Sequence, residues 1–216
     1  MSQPDRPVKF GIIGSGWRSE FIVRIARAVP QRLAVTGIVT RTAARADEIA
    51  AAWGVAAHTS LDDLLSASAP DFVVVSVPWD ASPDAIRAAV ARRVPVLAET
   101  PPAPDADGLR RLWSDVGASG LVQVAEQYLL MPGHAARRAA VDHGVIGTPT
   151  SVQVSSTHLY HAVSLIRGLL GVTVEPATVD ARSFTAPLAD PLSPAGWACT
   201  TSPTTSGGIR CGPGGS

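Results

Sequence analysis

Two cysteines, Cys199 and Cys211, are the only thiols in 216 residues, and neither has a histidine or a further cysteine near it at metal-ligand spacing. Neither a zinc site nor a disulfide framework is expected, and the pair reads as two bystander thiols. Net charge is missing as well. The 18 basic and 18 acidic residues cancel, the two signs are interspersed, and no Lys/Arg stripe with interleaved aromatics appears. A nucleic-acid or anionic-membrane partner therefore has no electrostatic footprint. No run approaches the ~18 apolar residues of a membrane span, and the opening MSQPDRPVKF is polar and proline-broken. The expectation is a soluble, cytoplasmic protein. What the chain has is apolar content, 46% of its residues, enough to bury one good core and begin a second.

Short β-branched runs alternate along the chain with longer helical patterns, the mark of parallel βαβ units. VKFGII is followed by Gly14-Ser15-Gly16 and a helix whose apolar positions Phe21, Ile22, Ile25 and Val29 fall on one face. LAVTGIV leads to an Ala-rich helix from Thr42 to Trp53, which Gly54 can end in a left-handed conformation. VAAH precedes a helix carrying Leu61, Leu64 and Leu65. DFVVVSV is too continuously apolar for a half-exposed strand and belongs at the centre of a sheet covered on both faces. Ser82 can cap, and Pro83 can open, the next helix. VPVLAE is a fifth strand, Leu109, Leu112, Trp113 and Val116 mark the helix after it, and LVQVAEQ is a sixth. Six strands with right-handed crossovers predict an α/β fold, a doubly wound parallel sheet of Rossmann type.

Chemistry first enters at the glycine turn. Gly14 allows a tight turn, Gly16 lets a backbone approach a pyrophosphate, and the helix starting near Trp17 offers free N–H groups and a positive dipole end. Ser19 takes the third position of G-x-G-x-x-G, small enough for close helix packing but a departure from it. About 20 residues on, where an NAD site places a carboxylate for the ribose 2′-hydroxyl, stand Thr40 and Arg41. Arg41 and Arg45, four apart, are suited to grip a 2′-phosphate by charge-assisted hydrogen bonds. NADP is therefore favoured over NAD. Ser15, Ser76, Pro78, Glu99 and Thr100 are the remaining expected cofactor contacts.

The succession GIIGSG, PDFVVVSVP, VPVLAETP, VAEQYLLMP and HGVIGTPTSVQV resembles the Gfo/Idh/MocA family of NAD(P)-dependent oxidoreductases, which act mainly on sugars, inositols and related polyols. The resemblance runs from about residue 8 to about residue 171. It implies hydride transfer between a nicotinamide cofactor and a sugar-like polyol or other small carbonyl substrate. In the family the fifth strand ends in Glu-Lys-Pro; here Glu99, Thr100 and Pro101 stand there. The family then has a strand entering a second domain and an Asp-x-Gly-x-His-x-x-Asp segment. SVQVSS matches the strand and THLYHAVSLIRGLLG the segment, in which only His161 survives; Thr157, Leu159 and Ser164 replace the first Asp, the Gly and the second Asp.

Oxidising an alcohol with a nicotinamide needs the carbinol carbon held ~3–3.5 Å from the ring, a base for the hydroxyl proton and stabilisation of the developing alkoxide. Thr100 supplies neither the charge nor the proton of an ammonium, and losing one well-placed donor costs about 3–4 kcal/mol. His161 is the best remaining acid/base, because imidazole is the side chain that gives and takes protons near neutral pH; Tyr160 and His158 can share that role. Glu99 reads as an orienting group near the nicotinamide ring.

The expected domains are a dinucleotide-binding domain over 1–128, an incomplete α+β second domain over 129–185 and a tail over 186–216. The tail, rich in Pro, Gly, Ser and Thr, cannot bury enough surface to offset its ordering entropy and is expected to be disordered. The reading frame reads as truncated or shifted relative to full-length relatives. A sheet that starts and stops after one or two strands would leave an edge exposed, so either a second copy or a homologous chain covers it, or the fold is marginal. Two functions follow: an NADP-dependent oxidoreductase using His161, or a catalytically impaired dinucleotide-binding module.

Overall fold

The central strand decides the architecture. In the computed structural model, which describes residues 6–157, 159–173, 175–180, 182 and the backbone of 197–200 and 210–213, Val73 and Val75 of β4 (Phe72–Val75) face one apolar cluster and Val74 the opposite one. A strand with both faces buried has no polar side to show, which is why DFVVVSV lacks alternation. β4 pairs with β1 (Val8–Ile13) on one side and β5 (Val96–Ala98) on the other. β2 (Leu33–Val39), β3 (Ala57–His58) and β6 (Val122–Val124) complete a six-stranded, all-parallel sheet in the order β3-β2-β1-β4-β5-β6. The strand order reverses between β1 and β4. In such sheets, the crevice at that switch is where ligands bind, outside the carboxyl ends of the strands.

Helices α1 (Trp17–Ala28) and α2 (Ala43–Trp53) cover one face, burying Val23, Ala26 and Ile49 against Phe10, Ile12 and Ile38. α4 (Ser82–Ala91) and α5 (Ala106–Val116) cover the other, with Ile86, Ala89, Leu112 and Val116 against Val73, Val75, Val96 and Ala98. α3 (Leu61–Ala67) buries Leu64 completely. Local signals set several of these ends. Thr42 accepts from the Arg45 N–H at 3.2 Å and Ser60 from the Asp63 N–H at 3.0 Å, and Gly54 takes the left-handed φ of 54° that ends α2. Ser82 is the first residue inside α4 rather than its cap; Ala81 holds the cap position, and Pro83 falls in the first turn as expected.

On two helices the buried line is not the set of apolar residues that marks the helix in the sequence. On α1 the buried line is Ser19, Val23 and Ala26, with Ile22 beside it, while Phe21 and Ile25 are exposed. The small side chains at 19 and 26 let the helix approach the sheet closely, which turns the larger apolar residues outward. On α5 only Leu112 and Val116 are buried among the apolar residues marked; Leu109 is exposed, and Trp113 lies over Gly117, in place of any core position.

The chain divides into two compact units, Met1–Thr173 and Val174–Ser216. The boundary expected after residue 128 falls inside the first. That unit includes a 3-10 turn at Tyr128–Leu130, α6 (Pro132–Asp142) and α7 (Leu159–Leu170). SVQVSS, expected as a strand, is not one: residues 151–155 carry no regular structure, because among the described residues no neighbouring strand is there to complete a ladder. The incomplete sheet that was to recruit a second chain is accordingly absent from the described residues. In the second unit, β7 (Trp197–Thr200) and β8 (Arg210–Pro213) pair antiparallel with Cys199 opposite Cys211, so part of the tail expected to be disordered carries a two-stranded ladder; most of residues 186–216 otherwise lies outside the described residues. Among the described residues no helix is long and apolar enough to cross a membrane.

Candidate functional site

The glycine turn lies at the carboxyl edge of β1, beside the switch in strand order. Gly14 has φ 118°, and a Cβ there would stand 2.0 Å from the Ser76 carbonyl oxygen. Its N–H donates to Val39 O at 2.9 Å while the Ser76 N–H donates to Ile13 O at 2.8 Å. The turn is thus clamped between β2 and β4, and only glycine fits its first position. Gly14→Ala is expected to destabilise the fold: the backbone conformation alone costs about 1–3 kcal/mol, and the overlap with Ser76 adds to it. A thermal melt of the variant, lowered by several degrees or more, checks this.

Gly16 differs in kind. It takes the cap position of α1 with extended backbone and no capping side chain, and a Cβ on it would meet nothing within 4 Å. Open space beside uncapped helix N–H groups, at the positive end of a 12-residue helix, fits an anionic phosphate. Ser19, wholly buried, has no partner for its hydroxyl; its small size is what the helix contact uses. A dinucleotide pyrophosphate therefore suits the residues present. Trp17, at the head of α1, is exposed.

At the end of β2 the expected contacts divide. Thr40 is buried, and its hydroxyl donates to Thr42 O at 3.0 Å, away from the turn. Arg45 reaches back to the turn, with Nη2 donating to Ser15 O at 2.9 Å and Nη1 paired with Glu48 at 2.5 Å. Arg41 is exposed in the bend before α2. Pro78 is exposed beyond Ser76.

Two residues that the sequence reading did not single out join the strand ends. Arg18, in the first turn of α1, pairs through Nε with Glu99 Oε1 at 2.9 Å, and its guanidinium lies 5.2 Å from the Trp17 ring centre. A cation in a helix's first turn opposes the helix dipole; that misplaced charge was the available signal. Glu126, two residues past β6, accepts the Tyr128 N–H at 3.1 Å through Oε1 and holds His161 Nδ1 at 2.6 Å through Oε2. Both side chains are largely buried, at 22% and 13% exposure. The Tyr128 and Tyr160 rings each centre 4.4 Å from the His161 ring. Tyr160 in turn donates its hydroxyl to Thr100 O at 3.3 Å, tying α7 to the end of β5. His158 lies outside the described residues.

The structure therefore brings the turn, Arg45, Ser76, Glu99, Thr100, Tyr160 and His161 to one edge of the sheet. From β1 to β6 that edge spans three strand spacings, about 14 Å. In such a site Glu126 would fix the imidazole's orientation and, by accepting from Nδ1–H, make Nε2 the basic nitrogen. Among the described residues no group of three or more His, Cys, Asp or Glu is placed to hold a metal.

The sequence model of an oxidoreductase family with an NAD-binding Rossmann fold matches residues 8–127. An inositol 2-dehydrogenase of Streptomyces avermitilis is 26% identical over 187 residues, which cover 78% of this chain and 54% of the relative. An inositol 2-dehydrogenase of Leifsonia xyli subsp. xyli is 39% identical over 107 residues, 49% of this chain and 31% of the relative. The chain thus spans about half or less of the curated relatives it matches. Among solved structures, scyllo-inositol dehydrogenase from Lactobacillus casei, with bound NAD(H) and scyllo-inositol, is similar in fold with a TM-score of 0.63 at 18% identity, covering 77% of this chain and 57% of its own.

Proposed function

The chain belongs to the Gfo/Idh/MocA family of oxidoreductases with an NAD-binding Rossmann fold, and from that membership we propose that it oxidises a secondary alcohol of a small polyol, or reduces the corresponding ketone, with a nicotinamide dinucleotide. The observation that carries this reading is the placement of the Gly14–Gly16 cradle and the Glu126–His161 pair along one edge of the sheet. The curated relatives named inositol 2-dehydrogenase make cyclic polyols the first substrates to try.

The residues divide the work. Gly14 and Gly16 open the backbone to the pyrophosphate, and the first turn of α1 supplies its N–H groups. Arg18 holds Glu99 at the end of β5, where that carboxylate can orient the nicotinamide end. When bound, the nicotinamide supplies the hydride acceptor. His161 takes the hydroxyl proton on Nε2 while Glu126 balances the charge the imidazole gains. Tyr160, hydrogen-bonded to Thr100 O, holds α7 and its histidine to the sheet. Thr100 contributes a hydroxyl but no charge, so the alkoxide-stabilising role of an ammonium at that place falls to other donors.

The lack of a carboxylate at the end of β2 and the presence of Arg45 beside Ser15 favour NADP. Arg41→Ala is the cleaner test, because Arg45 also braces the turn. We expect it to weaken NADPH binding about 10-fold, the worth of one charge-assisted contact of about 1.4 kcal/mol, and to leave NADH binding unchanged. Equal effects on both cofactors by calorimetry would remove Arg41 from the 2′-phosphate site. The oxidoreductase reading itself is tested by following reduced-cofactor fluorescence over a panel of inositols, sugars and their ketones. Turnover supports it, and cofactor binding without turnover on any of them is the behaviour of an impaired binding module.

A further inference from the structure

A cleft of about 540 Å³ opens beside the Glu126–His161 pair, along α7. Tyr160, Ser164 and Arg167 line it from successive turns of that helix, Arg138 of α6 contributes from the neighbouring helix, and Glu126 belongs to the same lining. The helix is seated close to its neighbours: at Gly168 a Cβ would come 2.6 Å from Leu129 Cδ1, so the cleft is framed by a tight contact.

The charges in the cleft are unequal in their commitments. Glu126 is engaged by His161 and by the Tyr128 N–H. Arg138 is neutralised within its own helix, its Nε donating to both oxygens of Asp142 at 2.9 and 3.0 Å. Arg167 has no carboxylate partner among the described residues, and α7, LYHAVSLIRGLL, carries no acidic residue at all. A helical side chain leans toward the helix N-terminus, so Arg167 reaches toward the Ser164 turn. From Tyr160 to Arg167 the helix rises about 10 Å, a length that accommodates one six-carbon molecule between the arginine and the tyrosine.

Resting on the oxidoreductase reading above, we propose that this cleft binds a carboxylated polyol, a sugar acid, with its carboxylate on Arg167 and the Ser164 hydroxyl and its hydroxylated end toward Tyr160 and the Glu126–His161 pair. Like-charge repulsion from Glu126 sets this orientation, since the reverse would bring two carboxylates together. The planar guanidinium suits a carboxylate in two-pronged fashion and has no such match with a neutral polyol. A purely structural Arg167, complementing the dipole at the end of α7, would influence helix stability and show no preference among ligands.

The test compares D-glucuronate with D-glucose, which differ only in the carboxylate, by calorimetric titration of the full 216-residue chain, with NADH titrated into the same preparation. Glucuronate is expected to bind at least 10-fold more tightly. That preference is expected to vanish in both Arg167→Ala and Arg167→Gln and to persist in Arg138→Ala, with thermal melts confirming that each variant folds. Equal affinity for the two sugars, binding of neither, or a preference that survives both Arg167 variants overturns the assignment. NADH binding without an acid preference overturns the cleft's ligand and leaves the dinucleotide reading standing. An acid preference without NADH binding does the reverse.

Discussion

On the proposed oxidoreductase function, a His161→Gln chain is expected to turn over a polyol about 10²–10⁴-fold more slowly than the unchanged chain, the usual contribution of a positioned acid/base, and to bind NADH equally well. The expectation follows from where His161 stands. Its imidazole is held on Nδ1 by Glu126 at 2.6 Å and flanked by the rings of Tyr128 and Tyr160, an enclosure that fixes the ring without consuming the proton-accepting nitrogen in the Glu126 contact. Glutamine fills similar space and keeps a hydrogen bond to Glu126 but cannot cycle a proton. Glu126→Gln is expected to lower turnover as well. Its amide can present an N–H to Nδ1, which favours the tautomer carrying the proton on Nε2 and so blocks the base. If His161→Gln turns over normally, proton transfer belongs to another group and the pair is structural.

Gly16→Val is expected to weaken nicotinamide dinucleotide binding by about 100-fold, equivalent to about 2.7 kcal/mol, while leaving the fold nearly as stable as before. Here the contrast with Gly14 matters. The Gly16 backbone, at φ −86° and ψ −178°, is one a β-branched residue adopts readily, and the space its side chain would enter contains no protein atom within 4 Å of the Cβ. Loss of a favoured cap residue costs about 1 kcal/mol at most. What the valine occupies is the open space through which a phosphate would approach the helix N–H groups. A variant that melts normally and fails to bind cofactor separates site from scaffold. One that binds normally places the pyrophosphate elsewhere.

The sequence was legible where the signal is local or where burial is complete. VVV of β4 shows both faces of the sheet because apolar side chains on opposite sides of one strand require cover on each. Ser19 reads as a close-packing position from its spacing to the turn alone, and it is fully buried. On α1, periodicity groups the apolar residues on one face without saying which residues are small enough to let the helix approach; Ser19 and Ala26 decide the contact, and Phe21 stays outside. SVQVSS has the alternation of a strand, but a strand also needs a partner, and that is a property of the rest of the chain. The Glu126–His161 and Arg18–Glu99 pairs join residues 35 and 81 apart, so no window of sequence contains either. Only the fold brings the end of β6 to the start of α7 and the head of α1 to the end of β5.

The most direct measurement of the central claim is a calorimetric titration of the unmodified 216-residue chain with NADPH and with NADH. The account predicts saturable, one-to-one binding of at least one of them, lost in Gly16→Val and kept in His161→Gln. No saturable binding of either cofactor, or binding that survives the valine at position 16, would contradict it.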